Sequence, residues 1–493
     1  MNIVQTYYSY STDTLPIRDT AGFISADMNW KSMALSCLLL KKHYGKVTLY
    51  CNRKAHDLII NKFKIPYDKV VEIPDFMTTY NGCNLWALPK IYTYSLQTEP
   101  FIHVDCDWFM FEKLSETIMN SDIIGQNIEY DDQQFNRRTL TKLISNDCYV
   151  YPWVMDEYNK EPVLRVINAG ILGGNDIEFI QNYVRIIKDF TSRNLPVLQR
   201  VNDGFVNSIY EQFFFYLLAK KENKSIGLCT EGDKLSTRFD WFPLDFSHAP
   251  KTGYMHLLAN LKRRMISYVF ISNYLDYIDT ELNYRISKYC YDNKIAPLIN
   301  YPHWDMYSLD KSNQRWDSNK LKKTGIEMVH TSQDAEQAIQ QMERKLPLFH
   351  KQLYNAQKRN VIPLWEIPSL WDMNYSFDIW QNISFSKISY DEACAFLSNT
   401  HDTVNRMLAE DEKIYLILIP DSSMLRVHKC MVTGVKADII EYISAKGNST
   451  LYEIGLHLST LHGVSFETEE ARTGIDRIIR SMMVGNILKL NIK

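Results

Sequence analysis

With 493 residues, 45% hydrophobic and 23% charged, the chain has material for roughly two to four compact units and is too evenly mixed for a disordered polymer. Its formal net charge of −3 argues against nucleic acid or an anionic membrane surface as a partner, and no apolar run approaches the roughly 20 residues that span a bilayer. Nine scattered cysteines, never spaced Cys-x-x-Cys, point away from a disulfide framework or a thiolate zinc site; with no basic and apolar leader in MNIVQTYYSYS, a cytoplasmic location is expected.

The first quarter alternates short apolar runs with helical stretches: Ile3 to Tyr7, Trp30 to Tyr44, Val47 to Tyr50, Ala55 to Phe63, Lys69 to Glu72, Leu85 to Leu96, and Phe101 to Val104. This βαβα order, with strands apolar on both faces, predicts a mostly parallel sheet covered by helices. No GxGxxG follows the first strand and no GxxxxGK[ST] occurs, so phosphate must be held by other means. Ligands of open α/β sheets sit beyond the carboxyl ends of strands, which directs attention to what leaves Phe101 to Val104.

Residues 163 to 172, VLRVINAGIL, read as a further strand closed by Gly173, Gly174, Asn175 and Asp176, with a helix over Ile177 to Phe190. Helices are expected at 203 to 221 and from about 256 to 290. Polar residues and tryptophans at 298 to 330 suggest a boundary, and 333 to 358 reads as a charged amphipathic helix. The last 80 or so residues give strands at Ile414 to Ile419 and Met424 to His428, helices near 435 to 445, 451 to 461 and 469 to 483, and a closing strand to Ile492. That is a winged-helix order. Residues 433 to 493 hold seven Lys or Arg against seven Asp or Glu, so a peptide or protein partner is expected there rather than DNA.

Chemistry concentrates in FIHVDCDWFMF. Asp105 and Asp107, two residues apart after a buried strand, project to one side of an extended chain and offer hard oxygen ligands to Mn²⁺ or Mg²⁺. Such an ion can bridge a diphosphate and offset charge on a departing nucleotide.

An apolar strand ending in DxD after a βαβα start resembles the GT-A fold of nucleotide-sugar glycosyltransferases, distantly the glycogenin-like ones. Two further segments are similar: NAGILGG (168 to 174) to the Asn-x-Gly strand that shapes the donor pocket, and HLLANLK (256 to 262) to HxxGxxK, with Ala259 in place of glycine and Arg263 and Arg264 following in place of Pro-Trp. The resemblance covers about residues 1 to 270. It implies a GT-A-like (Rossmann-like) mixed sheet flanked by helices, with metal on Asp105, Asp107 and His256, and a donor, a UDP-sugar favoured, at Asp105, Asp107, Trp86, Lys90, Asn168, Gly170, Gly173, Gly174 and Lys262. Asp203 or Glu211 would activate the acceptor; Glu211 is also conspicuous as an acid within an apolar helix. The tail resembles winged-helix elements that hold leader peptides for peptide-modifying enzymes, which implies a peptide acceptor.

The expected organisation is a catalytic domain at 1–297, a mainly helical linker at 298–410, and a winged-helix domain at 411–493. The expected activity is metal-dependent transfer of a sugar to an acceptor hydroxyl. Two other classes use the same features: an aspartate-based phosphatase, which also places DxD after an apolar strand although Phe109 stands where Thr or Val is usual, and a peptide-binding scaffold without activity.

Overall fold

The computed structural model describes residues 1–10, 19–23, 25–131, 134–230, 253–258, 261–262, 265–293, 295, 302–303, 370–379, 384–389, 391, 413–421, 426–484 and 487–492. The helix expected at 333 to 358, the boundary region from 304 onwards, and Ala259, Arg263 and Arg264 lie outside them. Two compact units are present: Met1–Asp19, Ser32–Phe242 and Thr252–His256 form one, and Thr20–Lys31, Pro243–Lys251 and Leu257–Lys493 the other.

The first unit is α/β. Its strands are β1 (Asn2–Tyr7), β2 (Val47–Cys51), β3 (Lys69–Glu72), β4 (Phe101–Val104), β5 (Trp108–Met110), β6 (Ile123–Gly125), β7 (Ile128–Tyr130), β8 (Arg165–Ile167), β9 (Ile171–Gly174), β10 (Ile226–Leu228) and β11 (Tyr254–His256). Seven form one sheet in the order β10-β6-β9-β4-β1-β2-β3. All neighbours in it are parallel except β9, which runs antiparallel to both β4 and β6. The sheet is therefore mixed, and β9 brings its amino end to the carboxyl end of β4, pairing Ile171 with Val104.

Every residue of β4 is buried, as a central strand between two packed faces must be. One face packs on helices Leu88–Ser95 and Ile177–Arg193, where Ile91, Tyr94, Phe179, Tyr183 and Ile187 join Phe101 and Leu172 in a single core. Pro89 stands in the first turn of helix Leu88–Ser95, where its missing N–H costs nothing, and the Asn207 side chain accepts the Ala87 N–H at 2.9 Å. Asp176 caps helix Ile177–Arg193 by accepting the Phe179 N–H at 2.9 Å, so its carboxylate serves the fold.

Three stretches depart from the sequence reading. The segment 163 to 172 is two strands, because Asn168 to Gly170 turn between β8, which pairs with β7, and β9, which enters the main sheet. The helix at 203 to 221 is interrupted: Val206–Ser208 leads into a wider π-type stretch, Ile209–Phe213, before Phe214–Lys221 resumes α geometry. Nor does a helix begin at 256. Residues 254 to 256 are β11, antiparallel to β5 with His256 opposite Trp108, and helices follow only at Met265–Ile278 and Thr280–Asp292.

In the second unit, β13 (Tyr375–Ile379) pairs antiparallel with β17 (Leu488–Ile492). Strands β12 (Pro302–His303), β14 (Ser384–Ile388), β15 (Ile414–Asp421) and β16 (Arg426–Thr433) form a sheet in the order β12-β16-β15-β14. Helices Gly434–Lys446, Leu451–His462 and Glu469–Val484 precede β17 and share a core built on Ile440, Ile454, Ile479 and Phe377. Among the described residues, no helix is long and apolar enough to cross a membrane.

Candidate metal centre

The carboxyl end of β4 breaks into a tight turn. The Trp108 N–H donates to the Asp105 carbonyl at 3.1 Å, so Asp105 and Asp107 sit on a turn rather than on extended chain, and the turn makes them converge. Polar side chains fix its backbone: Gln5 donates to the Asp105 carbonyl at 3.3 Å, and Ser36 donates to the Trp108 carbonyl at 2.7 Å. From the other side, the Asp105 N–H donates to the Gly170 carbonyl at 2.8 Å.

His256 completes the cluster. One ligand atom each from Asp105, Asp107 and His256 lies within 4.8 Å of the others, so the triad could hold a metal ion. His256 Nε2 is 3.5 Å from Asp107 Oδ1. Which nitrogen carries the proton follows from a neighbour. Gln126 Oε1 receives the Trp108 indole N–H at 3.0 Å, and indole can only donate, so this atom is the amide oxygen. His256 Nδ1, 2.7 Å from that same oxygen, must then be the protonated nitrogen, which turns the Nε2 lone pair toward the carboxylates. An orienting hydrogen bond of this kind is what a metal-binding imidazole requires.

Gly170 makes the arrangement possible. A Cβ there would collide with the His256 ring and with Gln126 Oε1. Asn168, whose amide oxygen accepts the Gly170 N–H at 2.9 Å, holds the turn, and its nitrogen donates to Glu129 Oε1 at 2.6 Å. Burial pushes Glu129 above the ordinary carboxylate range, with the Asn168 bond opposing.

Electrostatics sharpen the picture. Burial, and then the charge of Asp107, push Asp105 up, while Lys90 pulls it down. Lys90 Nζ lies 2.7 Å from Asp105 Oδ1, 2.9 Å from Oδ2 and 3.1 Å from Glu211 Oε1. Burial alone would lower the Lys90 ammonium, but Asp105 and Glu211 outweigh it and raise it. Glu211 is fully buried and is pushed up to about 7 by burial, with Lys90 opposing. The exposed Trp86 ring has its centre 5.4 Å from Lys90 Nζ.

Of the residues singled out by sequence, Asp105, Asp107, His256, Asn168, Gly170, Lys90, Trp86 and Glu211 therefore come together. The others do not. Gly173 and Gly174 pair with Ile102 and Phe101, toward the amino end of β4, and a Cβ on either would strike backbone of Phe101 or Asp122. They permit close strand packing and do not reach the carboxylates. Asp203 accepts the Phe205 N–H at 3.0 Å and meets Lys142 at 3.3 Å, which makes it a turn residue. Glu211, closed off behind Lys90, suits a counter-ion better than a base that a hydroxyl must approach. Lys262 belongs to the second unit, where its Nζ donates to the Ala21 carbonyl at 3.3 Å and lies 5.1 Å from the Phe23 ring centre. Sequence reasoning missed Gln126 and Glu129. A signal was available in IIGQN, where polar residues leave a buried strand as they do in DCD.

The chain belongs to DUF6734, a family of unknown function whose model matches residues 1–289 and so includes this whole cluster. No curated protein matches it.

Proposed function

We propose that the first unit is a metal-dependent glycosyltransferase of GT-A type, which moves a sugar from a nucleoside diphosphate donor, a UDP-sugar favoured, to an acceptor hydroxyl. The observation that carries this reading is the convergence of Asp105, Asp107 and a tautomer-fixed His256 at the carboxyl end of a central strand, where α/β sheets bind ligands. Two carboxylates and one imidazole suit Mn²⁺ well and Mg²⁺ acceptably. Held there, such an ion would offset the charge that develops on a departing diphosphate.

The chain's own contribution is orientation and charge. Gln126 aims His256, Gly170 leaves room for it, and Gln5 and Ser36 hold the turn that carries both aspartates. Lys90 adds a cation beside Asp105, and Asn168 with Glu129 offers polar groups next to the Gly170 turn. The three helices before β17 support the winged-helix reading of 411–493. Tyr452 and Leu456, exposed four residues apart on helix Leu451–His462, are suited to a peptide acceptor.

The test is binding of nucleotide sugars with and without Mn²⁺ to wild type and to Asp107→Asn. Wild type is expected to bind only with the metal, and the variant not at all. Equal binding by both would remove the metal from the mechanism. Release of phosphate from simple phosphate esters, without hydrolysis of nucleotide sugars, would favour the phosphatase.

A further inference from the structure

We propose that Lys90 is a stand-in cation, which occupies Asp105 until a divalent ion claims that carboxylate and then passes to Glu211. The inference rests on the metal-binding half of the reading above and adds an order of events to it.

Two features of the hydrogen bonding carry the argument. Asp105 Oδ2 accepts an N–H from Lys90 at 2.9 Å, but Oδ1, 2.7 Å from the same nitrogen, receives no directed hydrogen bond. Glu211 is fully buried, and its ion pair with Lys90, 3.1 Å from Nζ to Oε1, is longer than the 2.7 Å contact to Asp105 and is not aligned as a directed hydrogen bond on either oxygen. A buried carboxylate normally has its lone pairs satisfied, and leaving them bare is costly. Glu211 is thus a prepared seat facing an ammonium whose bonds are turned toward Asp105.

An ammonium has three N–H groups on a flexible stem, so moving them from one carboxylate to the other needs only a small rotation. A divalent ion at Asp105, Asp107 and His256 supplies the reason to move. Two cations on one carboxylate repel, strongly so where water is scarce. Glu211 keeps the displaced ammonium inside the site instead of expelling it. The exposed Trp86 ring borders it on the open side, with its centre 5.4 Å away. Once Asp105 is taken, Lys90 is the cation that an entering diphosphate would meet, so the metal binds before the nucleotide.

Titration with Mn²⁺ alone tests this. Lys90→Met, which removes the competitor, should bind Mn²⁺ about ten-fold tighter than wild type; Glu211→Gln, which removes the alternative seat, should bind it about ten-fold more weakly, within the range that coupled neighbouring charges show. The double variant should stay closer to Lys90→Met than to Glu211→Gln, since Glu211 acts chiefly through Lys90 and its direct repulsion with Asp105 is the smaller influence. It also covers the chance that Lys90→Met fails to fold around an unpaired Glu211, because its Mn²⁺ affinity can be compared with that of Glu211→Gln. Unchanged or weaker Mn²⁺ binding when Lys90 is removed from either background overturns the inference. If wild type binds no Mn²⁺, this inference and the metal site fall together. If it binds Mn²⁺ but no nucleotide sugar, only the transferase reading falls.

Discussion

Glu211 and Glu453 are the same side chain set in helices of the two units, and their surroundings drive them in opposite directions. Glu453 accepts the Thr450 N–H at 2.8 Å and the Lys446 ammonium at 2.7 Å, closes a reciprocal capping box with Thr450, and is pushed down to about 2, first by the Lys446 bond. Glu211 is pushed up to about 7 by burial and has no directed hydrogen bond. A carboxylate whose bonds are all supplied by the chain is finished when the chain folds. One that the chain buries against a cation shared with Asp105 is left open to a change of partner, and it lies beside the one cluster of potential metal ligands found among the described residues.

The largest expected effect breaks the open site without touching a carboxylate. Gly170→Ala should displace the His256 ring and Gln126, and Mn²⁺ affinity should fall about 100-fold, equivalent to about 2.7 kcal/mol. Unaltered affinity in the folded variant would show that His256 is not a ligand. Next comes the pH dependence of stability. An acid with a raised pKa binds its proton more tightly when folded, so the Glu211 contribution is fully present below about 4.5 and is lost as pH rises through about 7. Denaturant unfolding of the metal-free protein should show that decline, at most about 1.4 kcal/mol per pH unit, and Glu211→Gln should flatten it. A slope that survives the substitution would assign it to another group. The smallest effect belongs to the closed site. Glu453→Gln should cost no more than about 1 kcal/mol near neutrality, because the pair with Lys446 is partly exposed to solvent. The sign here is reversed: the Glu453 contribution is present above about 4.5 and disappears as pH falls toward about 2.

Much of the first unit was legible because apolar runs bounded by turns mark buried strands, and β3 and β4 fall where the runs do. The aspartate pair was legible for the same reason, since two acids leaving a buried strand need a partner. His256 was found from its spacing to Lys262, yet its local structure was misread: three residues of strand are too short to show a period, and the helix that follows begins only at Met265. The Asn168 to Gly170 turn was hidden inside an apolar run, because its polar atoms are satisfied internally and its neighbours are all buried. Gln126 was invisible for a different reason. Its importance comes from Trp108 and His256, one brought by the chain before it and the other 130 residues after it.

The π-type stretch Ile209–Phe213 has a consequence for how Glu211 can be replaced or moved. A π turn amounts to one residue added to an α-helix, and each residue of an α-helix turns the face by about 100°. Deleting one residue there would let the helix close into regular α geometry while rotating either Glu211 or the Phe213 to Leu217 face out of alignment. The apolar helix and the acid it carries are therefore held in separate angular registers, with this one widened turn as the joint between them. A deletion that leaves helix content intact but uncouples Mn²⁺ affinity from Lys90 would be the signature of that joint.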